Sequence, residues 1–141
     1  MDIVVLSSSD ILDIKDLIAL HMRSVEEDIY IADAVDWLQR ELLHPNTYVI
    51  AAKLDGKYIA YIWFTLCESY TGPYVYVEQT ASTNHKAMLA LFSSMEYFAR
   101  QHQCDRITGH TPYNPKAISK VYGGGGLAMK TLVVKYLKEK A

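Results

Sequence analysis

Tyr48-Val-Ile-Ala-Ala-Lys-Leu-Asp-Gly-Lys-Tyr-Ile-Ala-Tyr-Ile62 is the stretch on which the fold turns. Tyr48, Val49 and Ile50 are strong β formers, and they open a strand predicted over Thr47–Lys53. Asp55-Gly56 is a tight-turn pair, because two-residue hairpins need backbone conformations that glycine and aspartate tolerate. The return strand runs from Lys57 to Cys67 and carries Tyr58, Ile59, Tyr61, Ile62, Trp63 and Phe64.

Downstream of this hairpin, Gly72-Pro73 breaks the chain and Tyr74–Thr80 forms another strand. A long helix follows over Asn84–His102. Its buried face is Leu91, Met95, Phe98 and Ala99, with Glu96 and Arg100 outside. Asp105–Gly109 is a short strand. The intervening helix is a crossover of the length that parallel pairing requires, so this strand should lie parallel to Tyr74–Thr80. Asn114-Pro115 opens a short helix through Tyr122. Gly123–Gly126 supplies a permissive turn, and Leu127–Leu137 is the last strand.

Upstream, Ile3–Leu6 is a short strand. Ser7-Ser8-Ser9-Asp10 offers N-cap candidates for a helix whose apolar positions are Ile11, Ile14, Leu17, Ile18 and His21. A second helix covers Ala32–Leu43, with Ala34, Val35, Trp37, Leu38 and Leu42 as its apolar set. It ends at His44-Pro45-Asn46, because proline disfavours helix in the residue before it. The order is β-α-α-β-β-β-α-β-α-β, an α/β chain with a mixed central sheet. With 141 residues, no internal repeat and no linker, residues 1–141 are expected to form a single domain.

Composition narrows the function classes. Half the residues are hydrophobic and the formal net charge is −2, with the charges spread along the chain. A nucleic-acid partner, which would call for a basic footprint, is not expected. No apolar stretch approaches the ~20 residues that span a bilayer, and the first residues lack a secretory pattern, so no membrane role is expected and the location is predicted as cytoplasmic. Cys67 and Cys104 have no metal-ligand spacing and read as reduced core thiols. None of the five histidines forms a ligand pair, so no metal site is expected. Eleven tyrosines stand against three phenylalanines, and Tyr58, Tyr61, Tyr70, Tyr74 and Tyr76 cluster in the middle third. They suit either sheet positions with hydroxyls at the rim or a ligand surface.

Three local patterns resemble the GNAT acyltransferases. The hairpin above carries a small residue, Ala60, where that family has glycine. Asn114, Ala117 and Tyr122, followed by Gly126-Leu127, are similar to the family's closing signature. The long helix, with Ala99 near its end, resembles the acyl-CoA-binding segment. The resemblance spans nearly the whole chain. It implies an acetyl-CoA-dependent N-acetyltransferase acting on a small-molecule or peptide amine.

In that family the cofactor pyrophosphate meets the N-terminus of the long helix, where unpaired N–H groups and a partial positive charge await it. The family loop is Gln/Arg-x-x-Gly-x-Gly/Ala. Here the segment reads Ala81-Ser82-Thr83-Asn84-His85-Lys86-Ala87-Met88, with no glycine and no leading Gln or Arg. By resemblance, Val77, Thr83, Asn84, His85, Lys86, Ala87 and Asn114 are the cofactor-binding positions. Tyr122 matches the acid that protonates the leaving thiolate, and Glu78 stands where a base would remove the amine's proton. Val25–Ile31, with Glu26, Glu27 and Asp28, falls where the family forms its acceptor site.

The missing glycines keep an alternative open: a catalytically inactive binding or structural module of the same fold with a protein partner, for example a bacteriophage virion protein located in the virion. An enzyme requires a split between the Tyr74–Thr80 and Asp105–Gly109 strands. A structural module would fill it, with Tyr76, Met88, His110 and Tyr113 as the plugs.

Overall fold

Alternate residues of the central hairpin point into different cores. Val49, Ala51, Tyr61 and Trp63 pack on one face of the sheet, and Ile50, Ala52, Ala60, Ile62 and Phe64 on the other. Burial on both faces is why these strands read as nearly unbroken apolar runs. The computed structural model describes residues 1–24, 30–110, 126–129 and 132–137. Among them are strands β1 (Asp2–Leu6), β2 (Thr47–Leu54), β3 (Lys57–Ser69), β4 (Gly72–Ser82), β5 (Arg106–His110), β6 (Gly126–Met129) and β7 (Leu132–Tyr136). They form one sheet in the order β1-β2-β3-β4-β5-β7-β6. Only β4 and β5 pair in parallel; every other neighbouring pair is antiparallel.

Helices cover both faces. A 3-10 stretch, Ser8–Ile14, leads into α1 (Lys15–Ser24), and α2 (Ile31–Glu41) packs beside them. Ile11, Ile14, Leu17, Ile18, Val35 and Leu38 join the first core. On the opposite face α3 (His85–Gln101) lays Ala87, Met88, Leu91, Met95 and Ala99 against the sheet. Ala52, Ala60 and Ala87 are all fully buried there, and their small side chains let the start of α3 come close to the strands. Phe98 is half-buried in an aromatic group with Tyr48, Phe64 and His102. Exposed Arg100 pairs with half-buried Glu96 at 2.9 Å. No helix among the described residues is long and apolar enough to cross a membrane.

The β2–β3 turn follows its residues: Asp55 and Gly56 have φ of 51° and 78°, as a two-residue hairpin requires. Four expectations are corrected. The first predicted helix is two pieces, since the serine- and aspartate-rich start tightens into 3-10 geometry, with the Ser7 N–H and hydroxyl both donating to Asp10. Gly72-Pro73 is not a break but the first part of β4, pairing with Ser69 and Glu68. Gly72 takes φ 123° there, and Pro73 offers its carbonyl to the Asp105 N–H at 3.1 Å. The last predicted strand, Leu127–Leu137, is two strands, since Met129 pairs back onto Leu132. Cys104 is buried as expected, but Cys67 is only half-buried. The predicted helix Asn114–Tyr122 lies outside the described residues.

Candidate active site

β4 and β5 pair for three positions and then part. Val75 faces Ile107, Tyr76 faces Thr108 and Val77 faces Gly109. The next β5 residue, His110, keeps its pairing with Leu132 of β7, as the whole of β5 does, but has no partner in β4. β4 runs on to Ser82 along β3, and its other edge has no strand partner among the described residues. Gly109 marks the closest approach before the fork. A Cβ there would stand 3.1 Å from the Val77 Cβ and 3.3 Å from the Val77 carbonyl oxygen.

At the fork β4 carries a bulge. Phe64 faces Val77 but Trp63 faces Gln79, so Glu78 is an extra residue. The bulge turns both Glu78 and Gln79 toward the face covered by α1 and α2, because it breaks the alternation of side chains. Each is tied to β3. The Thr65 hydroxyl donates to Glu78 Oε1 at 3.3 Å, and the buried Tyr61 hydroxyl donates to Gln79 Oε1 at 3.0 Å. Partial burial pushes the Glu78 carboxyl above the usual carboxylate range. The Thr65 hydrogen bond opposes this, and the like charge of Glu41 at the end of α2 adds to it. By surface area Glu78 is nevertheless an exposed residue, so the burial is shallow and the carboxylate is open to solvent.

Tyr76, opposite Thr65, lies on the same face, and burial raises its phenol above the ordinary range. Tyr74 lies under Arg106, whose guanidinium is 4.2 Å from the ring centre. His21 of α1 reaches the Thr80 carbonyl oxygen through Nδ1 at 3.2 Å, docking α1 on the far part of β4. The Trp63 indole N–H, buried beside Gln79 in the register, has no hydrogen-bond partner.

The loop into α3 commits its polar groups to itself and to β3. Ile59, which a register shift leaves without a partner in β2, accepts the Thr83 N–H at 2.9 Å and the Thr83 hydroxyl at 3.2 Å. Ser82 Oγ accepts the Asn84 N–H at 2.9 Å. Asn84 caps the helix, its Oδ1 accepting the Ala87 N–H at 3.1 Å, and its carbonyl accepts the Met88 N–H at 3.2 Å. This leaves the N–H groups of His85 and Lys86 at the first turn outside the cap, and both residues are exposed.

Of the expected site residues, Val77 and Glu78 stand at the fork, Thr83 to Lys86 at the α3 start, and Ala87 in the core with no exposed surface. Asn114 and Tyr122 lie outside the described residues, as do Glu26, Glu27, Asp28 and Tyr113. Of the expected plugs, Met88 is buried in the core beneath α3, and Tyr76 is half-buried on the other face. Thr65 and Gln79 were not anticipated, and Tyr61, expected at the sheet rim or on a ligand surface, is fully buried. The adjacent polar residues Glu78-Gln79, in a strand that otherwise alternates, were the available signal for the bulge. A separate depression of about 670 Å³, between β1, the end of α2 and β2, contains none of the expected residues.

No family model matches the chain, and no curated protein matches it significantly. Solved structures do. An aminoglycoside 6'-N-acetyltransferase from Acinetobacter haemolyticus is 16% identical, with TM-score 0.76 over 100% of this chain and 99% of that one. A probable acetyltransferase from Staphylococcus epidermidis is 13% identical, with TM-score 0.75 over 97% and 99%. PaiA N-acetyltransferase from Thermoplasma acidophilum, solved with coenzyme A, is 13% identical, with TM-score 0.70 over 96% and 99%. With the strand order and the parted parallel pair, these likenesses establish that the chain has the GNAT acyltransferase fold.

Proposed function

We propose that the chain is an acetyl-CoA-dependent N-acetyltransferase whose acceptor is a small-molecule or peptide amine. One observation carries this most of the way. A bulged, partly desolvated carboxylate, Glu78, stands where β4 and β5 part, on the strand that leads to an outward-facing helix N-terminus. The start of α3 suits an anion, with the His85 and Lys86 N–H groups, the Lys86 ammonium and the helix dipole together. Thr83 and Asn84 have committed their N–H groups, so the phosphate contact falls to the first turn and to Lys86, where a glycine loop would otherwise wrap it.

When bound, acetyl-CoA supplies the acetyl group as a thioester. The chain's own residues handle the protons. Glu78 accepts one from the acceptor ammonium, which frees the nitrogen lone pair, and a carboxylate of raised pKa is the stronger base for it. Val77, at the last paired position, brings main-chain groups to the fork. Asn114 completes the cofactor set, and Tyr122 donates its phenolic proton at the leaving sulfur, as their places in the closing pattern imply.

The test is release of free thiol from acetyl-CoA in the presence of a panel of primary amines. Glu78→Gln and Tyr122→Phe should each lower turnover about 10²–10⁴-fold with cofactor binding retained. Thiol release that is equal in wild type and both variants would contradict the assignment.

A further inference from the structure

We propose that Thr65 is a positioning residue, its hydroxyl holding the Glu78 carboxylate in place on the α2 side of the fork. This rests on Glu78 being the base. The bulge inserts Glu78 between two ladder positions, so no ladder partner fixes its side chain. Thr65 supplies the missing restraint: it faces Tyr76 across the ladder, on the same side of the sheet, and donates to Glu78 Oε1 at 3.3 Å. Four residues earlier on β3, Tyr61 does the same for Gln79 at 3.0 Å. The two β3 hydroxyls therefore tether both neighbouring residues of the bulge and keep their side chains on one face. Tyr61 has no exposed surface, which makes its end of the clamp rigid. Thr65 is half-exposed and short, with one χ1 to fix, so it can hold a carboxylate without closing the site.

Among the described residues, the groups that act on Glu78 are few. Glu41 approaches from α2, and Thr65 and Cys67 from β3, with Tyr76 beside it on β4. Of these, Thr65 donates a hydrogen bond to the carboxylate and favours its charged form, against burial and Glu41. Removing that hydroxyl should release both the position and the charge.

The experiment is a titration of the Glu78 side-chain carboxyl by carbon NMR in the full chain, assigned by the loss of its signal in Glu78→Gln. Thr65→Val should raise the apparent pKa by roughly half a unit to one unit, because a bond to the ionised form is lost. Thr65→Ser should restore the wild-type value. If Thr65→Val fails to fold, Thr65→Ala gives the same readout. An unchanged titration in a folded Val or Ala variant, or a Ser variant that behaves like Val, overturns the proposal. In the amine assay the acidic limb of the pH–rate profile should move up by the same amount in Thr65→Val, and a limb that stays put would also overturn it. The base assignment is tested separately, since Glu78→Gln reports on it whatever Thr65 does.

Discussion

Glu78 ties stability to function at a single residue. Its folded-state pKa is raised, chiefly by burial, so the folded protein binds this proton more tightly than the unfolded chain does. The stabilising contribution is complete below the unfolded value and is lost as pH rises through the folded one. At neutral pH the ionised carboxylate is therefore a liability that a general base must carry. Because Glu78 is exposed and solvent screens the effect, Glu78→Gln should melt only slightly higher than wild type at pH 7, and the difference should vanish near pH 4. Thermal melts at both values check this, and a variant less stable at pH 7 would contradict it. Gly109 is constrained by space. A methyl group there meets Val77 at 3.1 Å, so Gly109→Ala should destabilise by about 1–3 kcal/mol in chemical denaturation. Glu78 could be singled out from its place on the strand before the loop. Its partner Thr65 could not, because register across a bulge is a property of two strands and has no local sequence code.

Among the elements, α3 does the most to define the site, since it packs one face of the sheet and presents its first turn at the loop from β4. Most of its apolar spacing was legible: Leu91, Met95 and Ala99 are fully buried and Arg100 is outside, whereas Phe98, expected in the core, and Glu96, expected outside, are both half-buried. Leu91→Ala should cost about 2–5 kcal/mol in denaturant unfolding, as a large-to-small change in a closed core. Asn84→Ala should cost about 1 kcal/mol, because the Ala87 N–H would lose its cap. The β2–β3 hairpin was equally legible, since Asp55-Gly56 has essentially one way to turn and the apolar runs on either side have to be buried. The last strand was less so. Leu127–Leu137 holds enough apolar residues for one long strand, and only the pairing of Met129 with Leu132 reveals that it doubles back. The loop into α3 was read by what it lacked, its glycines. The structure shows what it has in their place: Thr83 and Asn84 locked by Ile59 and Ser82, with His85 and Lys86 turned outward.

At the scale of the molecule, the seven strands among the described residues include a single parallel pair, and the bulged carboxylate and the strand leading to α3 stand where that pairing ends. The topology follows from the order of elements, since the α3 crossover makes β4 and β5 parallel and the other reversals make their pairs antiparallel. Whether the fork receives acetyl-CoA depends on a loop without glycine, where the first turn of α3 and Lys86 must hold the phosphates. Thermal unfolding with millimolar acetyl-CoA tests this most directly. A ligand at 100 times its dissociation constant stabilises the folded state by about 2.7 kcal/mol, which should raise the melting temperature by several degrees. Free CoA should act similarly, and Lys86→Ala should shrink the shift. A well-folded sample whose melting temperature does not move with acetyl-CoA or CoA would contradict an acetyltransferase site at this fork.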